Sequence, residues 1–474
     1  MRRPSLETEA ASAAGGAPRG AMRFVLRISA VAATGGFLFG YDTAVVNGTV
    51  GALERHFRAD AGRLGFAVAA ALLGSALGAI LAGRFADRRG RVPAMKVTAL
   101  LFAAGSIGSG VAQSLGSFAA WRFLGGIAVG AASVVAPAYI AEVAPARVRG
   151  RLGSLQQLAI VTGIFLALAV NDLIAHTAGS PDAPFWFGVP AWRWMFWVEV
   201  LPSLVYGLGA FFVPESPRRL VAERREAEAA AVLARIGDPD VPERIREIRR
   251  TVGARQPAFT DLRAARSGLL PIVWVGVGLS IFQQFVGINV IFYYSTALWH
   301  SVGFTEADSM RISTITGVIN IVTTLVAIAS VDRFGRKPLL LAGSIGMTLT
   351  LGTMAWLFGR APLDAHGAPV LSGAAGTAAL VAANLYVFAF GFSWGPVVWV
   401  LLGEMFNNRI RGAALALAAS AQWVANWLVT LTFPALSRAD LGWAYGLYTG
   451  AAAASFLLVA GFVRETRGRT LEDM

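Results

Sequence analysis

The feature of this sequence that most constrains its fold is a series of twelve long apolar segments. About 20 consecutive apolar residues are enough for a helix to cross a bilayer. The twelve segments lie at residues 25–47, 64–83, 95–113, 118–140, 152–175, 193–213, 268–298, 310–331, 338–358, 376–402, 412–433 and 441–463. Hydrophobic residues make up 55% of the chain. We therefore expect an all-α membrane protein with twelve transmembrane helices.

The distribution of basic residues orients these helices. The formal net charge is +13, which by itself could indicate a polyanionic partner. With both chain ends cytoplasmic, however, only seven of the 41 Lys and Arg residues fall in or beside outside loops, Arg122 lies within a segment, and 33 face the cytoplasm. This is the positive-inside bias of membrane proteins. We expect a multi-pass protein of the cell membrane with both termini in the cytoplasm, and no nucleic-acid partner.

A hydrophilic stretch divides the chain near its middle. We expect a disordered tail (1–22), an N-terminal six-helix half (23–213), a cytoplasmic helical linker domain (214–267), a C-terminal six-helix half (268–463) and a cytoplasmic tail (464–474). Within the linker, RRLVAERREAEAAAVLARIG and VPERIREIRRTVG have the apolar spacing of short amphipathic helices. A solvated, charged connection and a small helical domain beneath the bundle both remain open.

The two halves repeat each other's loop motifs. DRRGR after the second segment corresponds to DRFGRKP after the eighth, and EVAPARVRGR after the fourth corresponds to EMFNNRIRGA after the tenth. Glu142 precedes Arg149 by seven residues, and Glu404 precedes Arg411 by the same interval. Matching motifs in matching loops indicate a duplicated six-helix unit. Two such halves around a central site are the architecture of alternating-access transporters.

Further motifs extend this pattern over nearly the whole chain. They are PESPR (214–218), FQQFVGIN (282–289), SWGPVVW (393–399), AASAQWVAN (418–426) and RETRGR (464–469). With the loop motifs, they make the chain resemble the sugar porter family of the major facilitator superfamily from about residue 24 to 473. The resemblance implies the major facilitator fold, with two pseudo-symmetric halves, no cofactor and function as a monomer. Arg464 stands where the family usually has Pro.

Amide and aromatic side chains within the segments suit a sugar, whose hydroxyls need paired donors and acceptors and whose C–H faces stack on rings. The resemblance assigns sugar contacts to Phe39, Gln157, Gln283, Gln284, Asn289, Tyr293, Asn320, Gly395, Trp399, Gln422, Trp423 and Asn426. Any one of the amides could equally hold two helices together. Ile164 and Phe292 stand where the family's proton–xylose symporters carry Gln and Leu, which favours a hexose, D-glucose first.

The spacing of two of these amides predicts a broken helix. At about 100° per residue, Asn289 would lie about 140° around an unbroken helix from Gln284. Both can face one ligand only if the helix breaks, and Gly287 lies between them. Gly391, Gly395 and Pro396 interrupt the tenth segment in the same way. Interrupted helices near the midplane are typical of transporter sites.

The segment GGFLFGYDTAVVNG (35–48) places a carboxylate, Asp42, in surroundings otherwise built for lipid. A charge at that depth costs about 2.5–3.5 kcal/mol on insertion scales. Arg122 is the other charge deep in the N-terminal half, and Glu199 falls within the sixth segment. Family members with Asp and Arg at these two positions resemble proton-coupled symporters. We expect Asp42 to bind the proton, with Arg122 and Glu199 as partners; a permanent ion pair is the alternative.

Charged residues of the cytoplasmic loops form a third predicted group, which we call the cytoplasmic clasp. It comprises Asp87, Arg88, Arg89, Arg91, Glu142, Arg149, Glu215, Arg333, Arg336, Glu404, Arg411 and Glu465. By resemblance, these residues bridge the halves when the cytoplasmic side is closed. Topology alone would explain the arginines, but not acidic partners at repeated spacing.

These observations predict a proton-coupled symporter that imports a monosaccharide, a hexose such as D-glucose, by alternating access. Uncoupled facilitative uniport and transport of a pentose, polyol or inositol remain open, as does, more remotely, a sugar sensor that has lost transport. An enzyme is not expected, because the sequence has no nucleophile–base set, phosphate-binding loop or metal-ligand cluster. The expected partners are the sugar, the proton and the lipid bilayer.

Overall fold

The computed structural model describes residues 19–145, 148–252, 259–263, 268–363, 369–371, 373–406 and 410–466. For residues 19, 149–151, 251, 252, 259, 332 and 411 only the backbone is described. Within these ranges the chain is helical, with short connections. The N-terminal half contains α1 (Arg19–Val45), α2 (Val50–Phe57), α3 (Ala61–Arg89), α4 (Arg91–Val111), α5 (Leu115–Val143), α6 (Arg149–Ala178), α7 (Ala191–Trp197) and α8 (Val200–Gly209).

The C-terminal half repeats this arrangement after a set of shorter helices. Between the halves lie α9 (Pro217–Ala222), α10 (Glu226–Ile236) and α11 (Val241–Val252). The second half contains α12 (Pro271–Phe285), α13 (Ile288–Ser301), α14 (Glu306–Phe334), α15 (Arg336–Arg360), α16 (Gly373–Gly391), α17 (Trp394–Met405), α18 (Arg411–Ala439) and α19 (Leu441–Phe462). The predicted all-α membrane fold is therefore confirmed.

All twelve predicted segments fall on helices. Among the described residues, 11 helical stretches are long and apolar enough to cross a membrane. The remaining segment, the sixth, is divided into α7 and α8 by a turn at Val198 and Glu199. Pro202 accounts for this turn, because it has no N–H to donate to the Val198 carbonyl four residues before it. The Leu201 N–H donates to that carbonyl instead, at 3.1 Å.

The two predicted interruptions are also present. α12 ends at Phe285 and α13 begins at Ile288, with Gly287 between them at φ 83°. This left-handed backbone conformation is one that glycine adopts without steric cost. In the tenth segment the break falls at Phe392 and Ser393, so Gly395 lies in the first turn of α17.

The linker helices pack against the N-terminal half. The Arg219 guanidinium donates to the carbonyl oxygens of Asp87 and Arg88, each at 2.5 Å. The Arg235 guanidinium lies 4.0 Å from the centre of the Phe24 ring in α1. Apolar residues of α9 and α10 are buried in the same cluster as α1, α4 and α5. The first amphipathic linker sequence thus forms α9 and α10 with a turn at 223–225 between them, and the second forms α11. The domain boundaries and their cytoplasmic location stay predictions.

Glycine allows close backbone contact in the N-terminal half, as between α3 and α5. A Cβ atom on Gly126 would lie 1.9 Å from the Ala71 carbonyl oxygen, and one on Gly130 would lie 2.0 Å from that of Ser75. Small residues that let backbones approach are the usual means of helix association in lipid, where apolar burial contributes little between helices.

We expect Gly126→Ala to destabilise the protein. Its methyl group would meet backbone rather than a movable side chain, and overpacking of this kind costs about 1–3 kcal/mol. Gly83→Ala in α3 is the matched control, because no atom lies within 4 Å of its added methyl group. Thermal unfolding in detergent should show a lower midpoint for the first variant only. Equal midpoints would contradict the packing argument.

Candidate functional site

A buried ion pair joins α1 to α5. The Arg122 guanidinium donates to both carboxylate oxygens of Asp42, at 2.7 Å and 3.1 Å, and to the Asp42 backbone carbonyl at 3.1 Å. The two side chains are 2% and 5% exposed. Gly125 faces the carboxylate, since a Cβ atom there would lie 3.4 Å from Asp42 Oδ1. The pair is bidentate, which is the strongest geometry available to arginine.

Glu199 is the third charged group of this site, at the turn between α7 and α8. It is fully buried, and one of its carboxylate oxygens accepts a hydrogen bond of 2.8 Å from Ser106 in α4. The other oxygen, Oε1, has no partner among the described residues. Glu199 lies within electrostatic range of Asp42 and Arg122. The structure thus brings together the three residues predicted for proton coupling.

The amides of the seventh segment meet at its break. Asn289, in the first turn of α13, donates to Gln284 Oε1 at 2.5 Å, so the break places both amides on one side. Gln283 donates to the carbonyl oxygens of Trp394 and Gly395 at the start of α17, at 2.8 Å and 3.2 Å. Its own carbonyl oxygen is buried and has no partner in the described part of the chain. The two interrupted crossings are therefore tied together by one side chain.

The eleventh segment brings further predicted residues to the boundary between the halves. The Phe39 and Trp423 rings, from α1 and α18, lie 5.9 Å apart between their centres. Asn426 is buried and accepts a 3.2 Å hydrogen bond from Thr430. Gln422 has a buried carbonyl oxygen without a partner among the described residues. Asn320 is buried in α14.

The remaining predicted sugar contacts differ in their surroundings. Ile164, Phe292 and Tyr293 are buried, and Gln157 is half-buried. Tyr293 lies within electrostatic range of Arg122 and Asp42, so it connects the two groups of candidate residues. Trp399 is 43% exposed.

The described residues of the cytoplasmic clasp form the same arrangement in each half. Arg91 pairs with Glu142 at 2.9 Å, while Glu215 accepts from the backbone N–H of Arg91 at 2.9 Å. Arg91 also pairs with Asp87 at 3.0 Å. In the second half, Arg336 pairs with Glu404 at 2.8 Å, and Glu465 accepts from the backbone N–H of Arg336 at 3.0 Å. Arg88, Arg89 and Arg333 are exposed, and the side chains of Arg149 and Arg411 lie outside the described ones. Between described side chains, the ion pairs of this set join residues of the same half.

At the opposite face of the bundle, which we call the α2 face, the halves are in contact. Asn47 follows α1 and donates to the carbonyl oxygens of Ile291 and Phe292 and to Ser295 Oγ, at 3.2, 3.1 and 2.8 Å. It accepts from the Thr296 N–H at 2.9 Å. Sequence reasoning missed Asn47 and Ser106; an amide at the end of an apolar segment and a serine within one were the only signals.

Two ion pairs also cross between the halves at the α2 face. Arg438, in α18, pairs with Glu54 of α2. Arg55, also in α2, pairs with Glu306 of α14 at 3.2 Å, and within its own half with Asp182 at 2.5 Å. The α2 face is therefore held shut by contacts that Asn47 and α2 of the first half make with α13, α14 and α18 of the second.

The family of the chain follows from comparison with known proteins. The model of the "Sugar (and other) transporter" family matches residues 28–474. The chain belongs to this family. A glucose transport protein of Synechocystis is 61% identical over 456 residues, which cover 96% of this chain and 97% of that protein.

Two further relatives have names that indicate different kinds of transport. The D-xylose-proton symporter of Escherichia coli is 38% identical, over 95% of each chain. The glucose facilitated diffusion protein of Zymomonas mobilis is 35% identical, over 95% of this chain and 96% of the relative. Among solved structures, the xylose transporter XylE from E. coli in an inward-open conformation superposes with a TM-score of 0.79 at 38% identity. That match covers 95% of this chain and 99% of the other. The protein is therefore a multi-pass sugar transporter of the major facilitator superfamily and not an enzyme.

We expect Arg438→Glu to shift the α2 face toward an open state. An exposed ion pair contributes about 0–1 kcal/mol, so the ratio of closed to open molecules should change by up to about fivefold. The chain has no cysteine, so spin labels at Thr177→Cys and Ala439→Cys would report the distance across this face. Longer distances should gain population in the variant and lose it again when Glu54→Arg is added.

Arg63→Glu is the control for that experiment, because Arg63 pairs only within its half, with Asp60 at 3.3 Å. Identical distance distributions for Arg438→Glu, Arg63→Glu and the parent would show that the charges do not hold the α2 face closed.

Proposed function

We propose that this protein is a proton-coupled symporter that carries a hexose, with D-glucose as the first candidate, into the cell by alternating access. The observation that carries the proposal is the buried bidentate pair of Asp42 and Arg122, with Glu199 beside it. Ionisable residues inside membrane segments are rare and mark ion and proton pathways. A buried ion pair stabilises a fold no better than apolar packing would, so a purely structural role is a weak reason for one here.

The pair supplies a carboxylate that can bind the proton and a step of the cycle at which the proton is released. Arg122 donates two hydrogen bonds to the Asp42 carboxylate. In the proposed cycle, protonation of Asp42 removes the charge that Arg122 binds and releases the pair. The arrangement with the pair formed and the α2 face closed would then be the stage after the proton has been given up. Loading from the other state would protonate Asp42 and part it from Arg122.

The sugar site is coupled to this step through α13. Tyr293 in α13 lies within electrostatic range of Arg122 and Asp42. Asn47, five residues after Asp42, holds the backbone of the same helix. A change at Asp42 is therefore transmitted to the helix that covers the sugar, which lets the proton and the sugar influence each other's binding.

The residues proposed to bind the sugar offer both kinds of contact that it needs. Gln283 and Gln422 have buried carbonyl oxygens without partners among the described residues, which suits hydroxyl donors. Phe39 and Trp423 offer ring faces to the C–H surface of the sugar. Apolar Ile164 and Phe292 leave space for a hexose, in agreement with the name of the Synechocystis relative.

The proposed orientation places the α2 face outside and the linker helices in the cytoplasm, with both termini there and the protein working as a monomer in the cell membrane. The Asn47 contacts and the ion pairs of the α2 face then form the outer closure. The cytoplasmic clasp would form its contacts between halves in the other state, when Arg91 and Arg336 exchange partners. Pairs of this kind are weak enough to break in every cycle.

A facilitative uniporter is the second candidate. The facilitated-diffusion relative is 35% identical to this chain, close to the 38% of the D-xylose-proton symporter. In a uniporter the Asp42–Arg122 pair would be permanent. A pentose, polyol or inositol porter would share the same proton site and differ only in the sugar pocket. A sensor would bind sugar without moving it.

We expect Asp42→Asn to abolish sugar accumulation driven by a pH gradient while exchange of labelled for unlabelled glucose continues. The amide fills the same space but cannot take up and release a proton at this step. Labelled glucose in proteoliposomes would measure both accumulation and exchange, and an entrapped pH dye would follow the proton. Asp60→Asn is the matched control, since Asp60 is an exposed helix cap whose role an amide can fill. Undiminished accumulation by Asp42→Asn would refute the role of Asp42, and glucose entry without proton movement by the unaltered protein would establish uniport.

We expect Gln284→Ala to weaken glucose binding about tenfold, through the loss of one or two hydrogen bonds of about 0.5–1.5 kcal/mol each. The variant also loses the bond that holds Asn289. Calorimetry on purified protein would measure the dissociation constant, with Gln113→Ala, at an exposed amide between α4 and α5, as the control. An unchanged dissociation constant would remove Gln284 from the sugar site.

A further inference from the structure

Tyr206 in α8 is a buried tyrosine whose hydroxyl is not explained by the fold. The side chain is fully buried, and the hydroxyl has no hydrogen-bond partner among the described residues. Buried polar groups are paired in nearly all native structures, and water takes the place of a protein partner where space allows. A phenylalanine would pack equally well there, so the hydroxyl calls for a reason.

The hydroxyl lies in the interface between α1 and α8, which we call the seam. The proposed proton site lies in the same interface. Glu199 and Tyr206 are seven residues apart, which is about two helical turns, so they share one side of α8 about 10.5 Å apart along its axis. Gly35 and Asp42 have the same separation on α1. A Cβ atom on Gly35 would lie 2.9 Å from the Tyr206 hydroxyl, while Glu199 is within electrostatic range of Asp42. Because α1 and α8 run in opposite directions, Asp42 lies at the same depth as Glu199, and Gly35 lies at the same depth as Tyr206.

The part of the seam between these levels carries further polar groups. Ser203 lies between Glu199 and Tyr206 in α8, is buried, and donates to the Glu199 carbonyl at 2.8 Å, which leaves its oxygen able to accept. Glu199 Oε1 is without a partner among the described residues. On α1, Gly35 has no side chain, which lets its backbone approach the tyrosine hydroxyl closely. The seam leads from Glu199 along α8 toward the face that carries the linker helices.

We propose that Tyr206 positions a water-bridged hydrogen-bond chain that carries the proton from Asp42 and Glu199 to the linker face. The proton leaves the Asp42 carboxyl, passes to the Glu199 carboxylate, and from there to water in the seam. The Tyr206 oxygen accepts a proton from that water while its own hydroxyl proton passes to a second water molecule on the linker side, from which it reaches the aqueous phase. One proton enters, one leaves, and the tyrosine ends neutral. This inference rests on the proposed proton coupling.

The test removes one oxygen atom. Tyr206→Phe should leave folding intact, because the deleted hydroxyl makes no hydrogen bond to a described residue. Tyr445→Phe is the matched control: Tyr445 lies in α19 of the other half, is 1% exposed, and its hydroxyl likewise has no described partner. In proteoliposomes with an entrapped pH dye, glucose-driven proton movement should slow by about tenfold or more in Tyr206→Phe, since a positioned proton-transfer group contributes that much or more.

Exchange of labelled for unlabelled glucose should stay unchanged in both variants, and Tyr445→Phe should match the unaltered protein throughout. Gly35→Ala, whose methyl would lie 2.9 Å from the hydroxyl and so displace it, should also slow proton movement. Equal proton movement by Tyr206→Phe and the unaltered protein would overturn this inference alone, as would an equal loss of exchange and proton movement. Absence of proton movement in the unaltered protein would overturn it together with the proposed function.

Discussion

In a bilayer, a backbone N–H or C=O group without a partner costs several kcal/mol, and the structure depends on this constraint throughout. Every described crossing is helical, and three of them are interrupted: α7 to α8, α12 to α13, and α16 to α17. At each interruption a side chain donates a hydrogen bond to a backbone carbonyl. Ser203 donates to the Glu199 carbonyl, Tyr386 to that of Val286, and Gln283 to those of Trp394 and Gly395. Irregular backbone therefore occurs where protein, not lipid, surrounds it, and these are the places where the candidate residues lie.

The two halves differ in what their cores contain. The N-terminal half holds Asp42, Arg122 and Glu199 among closely packed helices, with glycines where backbones touch. The C-terminal half holds the neutral amides at its two broken crossings. The candidate residues with charged side chains thus lie in the N-terminal half and the neutral amides in the C-terminal half. Two of the three interrupted crossings belong to the C-terminal half, and the third places Glu199 in the N-terminal half.

Much of this could be predicted from the sequence, because the signals were local. The number of crossings, the repeated loops and the break at Gly287 followed from hydropathy, motif spacing and the angle between Gln284 and Asn289. The break at Glu199 had a local signal too, Pro202, but a proline within a long apolar run does not by itself mark a break. Asn47 could not have been found in this way. Its partners in α13 lie some 244 to 249 residues further along the chain, and only the fold brings them together.

The energies of these contacts bear on the proposed coupling of one proton to so large a structure. Within each half, helices pack closely, with near backbone contact at Gly126 and Gly130. Between the halves, the polar contacts described at the α2 face are those of Asn47 and exposed ion pairs, which contribute about 0–1 kcal/mol each. A change of one pKa unit between two states is worth about 1.4 kcal/mol, which is comparable to these contacts. Asp42 and Asn47 are five residues apart at the end of the same crossing. The proposed proton site and the closure of the α2 face are therefore joined by little more than one turn of helix.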